Sequence, residues 1–107
     1  MDDDALFRAL ADGSRRALLD RLFVRNGQTL SELCAGLPMS RQAVSKHLAL
    51  LEAAGLVASR QRGRDKLHFL NPVPINDIAE RWMGKFDRER LGALADLKRS
   101  LEGDHDG

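Results

Sequence analysis

Residues 29–57 read TLSELCAGLPMSRQAVSKHLALLEAAGLV, and local rules divide them into two helices and a turn. Thr29 and Glu32 stand in the capping-box relation: the hydroxyl faces the N–H three residues on, and the carboxylate reaches back. The helix they open stops near Gly36. Leu37, Pro38 and Met39 make a tight connection, and Ser40 is placed to cap the next helix. There Val44, Leu48 and Leu51 recur at i, i+4 and i+7, an apolar stripe for a core. Gly55 stands where a helix ends on a left-handed residue, and Leu56 can fold back on Leu51. Two short helices joined by such a turn form a helix-turn-helix, here over residues 29–54.

Upstream, residues 4–11 carry Leu6, Phe7 and Leu10 at helical spacing until Asp12 and Gly13 interrupt. Ser14 is the expected cap of a second helix, with Leu18, Leu19, Leu22 and Phe23 as its apolar stripe and Asn26-Gly27 as its end. Downstream, residues 56–70 change period. Leu67 and Phe69 alternate with Lys66 and His68, so a half-buried strand is expected there, with His68 turned to solvent. Residues 57–60 are the expected partner strand, and Arg62-Gly63-Arg64-Asp65 the turn of a basic-tipped hairpin. The segment Asn71-Pro72-Val73-Pro74 ends it, and one helix is expected over residues 75–101, about 40 Å long at 1.5 Å per residue.

Charge is distributed unevenly. Residues 40–70 hold six basic side chains (Arg41, Lys46, Arg60, Arg62, Arg64, Lys66) and two acidic ones (Glu52, Asp65), a balance of +4. The remainder holds 11 basic and 14 acidic residues, so the near-neutral total conceals a basic middle, as a polyanion-binding surface requires. No apolar run approaches the ~20 residues of a membrane span. With one cysteine, Cys34, no intrachain disulfide can form. A cytoplasmic protein is expected, with no membrane partner.

This arrangement resembles the winged-helix repressors of the ArsR/SmtB family. The resemblance rests on residues 10–19 (LADGSRRALL), residues 31–33 (SEL), and above all MSRQAVSKHL at 39–48 followed by LEAAGLV at 51–57. It implies a mainly α fold with a β-hairpin wing over residues 56–70: a single winged helix-turn-helix domain spanning 1–107, with a long C-terminal dimerisation helix. It also implies a DNA-binding transcriptional regulator, a homodimer joined through its first and last helices, and release from the operator when an effector binds.

The residues themselves suggest how double-stranded DNA would be met. With the stripe inward, Arg41, Gln42, Ser45, Lys46 and Ala49 turn outward. The first turn of a recognition helix meets base edges, where Arg suits guanine, Gln suits adenine, and Ser is less selective. Ser40, Lys46 and His47 complete the helix's expected contacts, Lys46 to phosphate, although His47 also borders the stripe as an anchor. Arg60, Arg62, Arg64 and Lys66 are expected on the backbone, with Arg62 or Arg64 entering the minor groove. For the dimer, Leu6, Leu10, Trp82, Phe86, Leu94, Leu97 and Leu101 are the expected contacts, and a two-fold dimer calls for a pseudo-palindromic operator.

Metal and catalysis find little support. One site of the resembled family uses two cysteines two apart; here Cys34 is followed by Gly36. Another pairs Asp and His along the last helix, where this chain has no histidine and His105 lies beyond it. No metal, cofactor or enzymatic activity is expected, and the effector is left unnamed. Two other readings stand beside this one: a winged helix that binds proteins, and a metal- or thiol-responsive repressor using Cys34.

Overall fold

The computed structural model describes residues 3–85 and 88–103. Its elements run α1 (Asp3–Leu10), α2 (Gly13–Val24), α3 (Leu30–Cys34), α4 (Arg41–Ala53), β1 (Val57–Arg62), β2 (Asp65–Leu70), α5 (Val73–Lys85) and α6 (Arg88–Gly103). The chain divides into two units, Met1–Ile75 and Asn76–Gly107.

In the first unit, local chemistry sets most of the helix ends. The capping box is formed: Thr29 Oγ1 accepts from Glu32 N at 3.2 Å, and Thr29 N donates to Glu32 Oε1 at 3.1 Å. Ser40 Oγ accepts from Ala43 N at 3.1 Å and starts α4. Its other end closes as a Schellman motif, with Leu56 N donating to Leu51 O and Gly55 N to Glu52 O. The cap of α2 is Asp12 and not Ser14, which lies inside the helix. Asp12 Oδ1 accepts from Ser14 N at 2.8 Å and Arg15 N at 3.1 Å.

The core gathers Leu6 and Ala9 from α1, Leu18, Leu19 and Leu22 from α2, Leu33 from α3, Val44, Leu48 and Leu51 from α4, and Leu56 and Val57 at the start of the hairpin. Full burial of each large apolar side chain contributes about 1.5–3 kcal/mol. Phe23 is not among them; it is 80% exposed. At about 100° per residue it lies roughly 100° around α2 from Leu22 and 140° from Leu18, off the stripe.

The hairpin pairs Val57 with Leu70 through Arg62 with Asp65. Only Gly63 and Arg64 lie between the strands, a tighter turn than the four residues expected. Gly63 has φ +61° and, among the described residues, no non-glycine residue has positive φ, which defines a type II′ turn with glycine at its first central position. The expected phase of β2 is corrected: His68 is 4% exposed, while Leu67 and Phe69 are half-buried. A bridge to Gln28 turns His68 inward. His68 N donates to Gln28 O at 2.8 Å, Gln28 N donates back to His68 O at 3.2 Å, and the His68 Nδ1–H donates to the same Gln28 O at 2.9 Å. Gln28 is itself buried, and its amide donates to the Arg21 and Arg25 carbonyls at the end of α2.

Asn71 Oδ1 accepts from Val73 N, so α5 starts two residues earlier than expected. Pro74 fits its first turn, where a missing N–H costs no helical bond. The single helix expected over 75–101 is described as α5 and α6; Phe86 lies outside the described residues, as does His105. Trp82, Met83, Leu94, Leu97 and Leu101 on these helices are all more than half exposed. Among the described residues, no helix is long and apolar enough to cross a membrane.

Candidate nucleic-acid interface

The phase of α4 leaves one face for recognition. Val44, Leu48 and Leu51 are buried, and Arg41, Gln42, Ser45, Lys46 and Ala49 are exposed, as helical geometry requires. Arg41 does not hang free: its Nη1 donates to Ser31 Oγ at 2.9 Å, tying the first turn of α4 to α3. The remaining guanidinium donors stay available, and the tether reduces the entropy lost on docking.

His47 has a different duty. It is half-buried, and Arg15 Nη1 lies 3.4 Å from its Nδ1. The same guanidinium donates through Nε to Ala9 O and through Nη2 to Arg8 O, each at 2.8 Å. Arg15 therefore closes the C-terminus of α1 and braces α4 from behind, with His47 as the receiving group. The Asp12 carboxyl is held below the usual aspartate range, first by the Arg15 backbone N–H and then by the Ser14 N–H; the charge of Arg15 assists, against some desolvation.

The wing presents two faces. Residues opposite one another in an antiparallel pair share a side, so Arg60 and Arg62 stand with Asp65, Leu67 and Phe69, while Gln61 stands with Lys66 and His68. Arg64 occupies the turn. The second face closes a cleft of about 630 Å³ with α3 and α4; Ser31, Arg41, Ser45, Glu52, Arg64 and Lys66 are among its walls. Within it Lys66 Nζ lies 3.7 Å from Glu52 Oε1. Of the four wing cations expected on the backbone, this one already faces an internal carboxylate.

Leu6, expected at a dimer contact, is 1% exposed and packs within its own chain, so it has no surface to offer a partner. Leu10 is half-buried, and Phe7 beside it is 49% exposed. Cys34 ends α3 half-buried. The Arg15 brace, the Ser31 tether and the Glu52–Lys66 pair have no local signature in the sequence.

The fold and the outward face of α4 define a winged helix-turn-helix DNA-binding protein. Comparison with known proteins agrees: a helix-turn-helix domain family matches residues 10–60. The uncharacterized HTH-type transcriptional regulator YuzN of Bacillus subtilis is 41% identical over 86 residues, 75% of this chain and 94% of its own. The arsenical resistance operon repressor of Escherichia coli is 34% identical, over 83% of this chain and 78% of its own. An ArsR-like transcriptional regulator from Rhodococcus sp. RHA1 superposes with a TM-score of 0.67 at 36% identity, covering 94% of this chain and 89% of that one. The chain belongs to the ArsR family of transcriptional regulators.

Proposed function

We propose that this regulator is a homodimeric repressor that reads a pseudo-palindromic operator and leaves it on binding an effector other than a metal ion. The observation that carries the reading is the exposed first turn of α4, with Arg41 tethered and Gln42 and Ser45 beside it. In this reading Arg41 and Gln42 meet base edges, with Ser40, Ser45 and Lys46 at the flanking backbone, and Arg60, Arg62 and Arg64 hold phosphates or the minor groove. His47 positions the helix. The protein acts in the cytoplasm by binding, not by catalysis. The names of related repressors support repression over activation.

Gly36 supports a non-metal effector. It has φ +78°, a backbone conformation in which any side chain is strained whatever the space around it. The end of α3 is thus built for glycine at the position a second thiolate would occupy.

Binding titrations against duplexes of varied sequence and salt test both parts. Gln42→Ala should relax preference at particular base pairs by about 1–3 kcal/mol each. Arg64→Ala should weaken binding to all sequences and flatten the salt dependence by about one phosphate contact per wing. Equal loss on every sequence for Gln42→Ala removes α4 from base readout. With zinc, cadmium or arsenite added, wild type and Cys34→Ser should stay bound alike; metal-driven release that Cys34→Ser abolishes overturns the effector assignment.

A further inference from the structure

Glu52 occupies a place that local physics disfavours twice. It lies in the last turn of α4, at the negative end of the helix dipole, where an anion is destabilising. Its Oε1 is buried and, among the described residues, has no hydrogen-bond partner. What faces it is the Lys66 ammonium at 3.7 Å, reaching from the wing across the cleft that also holds Ser45, Arg64 and part of Arg41. A residue that costs stability on the binding face invites an explanation in binding.

Resting on the DNA-binding reading above, we infer that Glu52 is a specificity-determining residue acting as an electrostatic counterweight. It neutralises Lys66 and repels phosphate at the mouth of the cleft, so it lowers sequence-independent attraction without touching the base-reading turn. Non-specific binding comes from phosphate neutralisation, whereas base contacts supply discrimination. Removing one cation from the phosphate count therefore raises the ratio of operator to bulk affinity. Lys66 is set apart from Arg60, Arg62 and Arg64: it fastens the wing to α4 and contributes little to the salt slope.

The test is a salt titration on random-sequence duplex and on operator selected from genomic fragments. It uses the full chain as wild type, Glu52→Gln, Lys66→Met and the double variant, with thermal melts as a folding control. Glu52→Gln should steepen the salt dependence on random duplex by about 0.9 per protomer, an additional loss of roughly threefold between 50 and 200 mM salt, and lower the operator-to-bulk ratio. Lys66→Met alone should leave the slope unchanged, and in the Glu52→Gln background it should cancel the gain. An unchanged slope in Glu52→Gln overturns the inference. So does the loss of a full contact in Lys66→Met alone, a result that needs only that variant to fold. A wild-type chain with no salt-dependent duplex binding would instead remove the DNA-binding reading itself.

Discussion

Two backbone N–H groups converge on one oxygen of Asp12, with the Arg15 guanidinium nearby, so the ionised carboxylate is favoured in the folded chain. A folded pKa below the unfolded one gives stability that is complete above the ordinary aspartate value of 3.8 and is lost as pH falls through the folded value. Asp12→Asn keeps a capping oxygen but no charge. Wild type should melt above this variant near neutral pH, and the gap should begin to close as pH falls to about 3.8 and vanish in stronger acid. A gap that stays constant through that window would mean that the cap acts by hydrogen bonding alone. The sequence marked a helix start here with Ser14 as its expected cap, and Asp12, two positions earlier, as part of the break. Backbone geometry at Asp12, with extended φ −96° and ψ 127°, chose between them.

At the scale of elements, the helix-turn-helix was legible because its signals are local. Thr29 with Glu32, Ser40 with Ala43, and Gly55 with Leu56 act within one turn of chain. The phase of β2 was not legible. A strand's period-two pattern is read from its apolar residues, and here Leu67 and Phe69 set that phase opposite to the true one. His68 goes inward because Gln28, 40 positions away, offers a carbonyl to both its N–H and its imidazole. His68→Ala should therefore destabilise by about 1–3 kcal/mol, through a lost buried hydrogen bond and lost packing. Amide exchange should quicken at Gly27, Gln28 and residue 68, where the bridge joins the wing to the end of α2. Undiminished protection at those amides would show that the backbone bridge holds the wing unaided.

For the whole molecule, the exposed apolar residues of α5 and α6 are the ones a partner copy would cover. Trp82, Met83, Leu94, Leu97 and Leu101 are each more than half exposed, and a partner copy would take such side chains out of water. In the proposed dimer α1 would offer Phe7 and Leu10 and not Leu6, which is sealed in its own core. A two-fold dimer sets its recognition helices about 34 Å apart, one turn of DNA. Leu97→Glu should sediment as a monomer and bind operator far more weakly, because each half-site is then engaged alone. A Leu97→Glu chain that remains dimeric, or a monomer with full operator affinity, would move the interface elsewhere.

The sequence by itself determined the order of elements from α1 to β2, the ends of α3 and α4, the buried stripe Val44, Leu48 and Leu51, and with it the outward face of the recognition helix. These follow from caps, breakers and periodicities that operate between residues a turn or two apart. Only the tertiary structure decided that Phe23 and Leu6 exchange their expected settings, that His68 is a pin and His47 a receiver for Arg15, and that Lys66 answers to Glu52. Each of those outcomes depends on which surfaces meet when distant segments pack. A side chain's partner 14, 32 or 40 positions away leaves no trace in its neighbours along the chain.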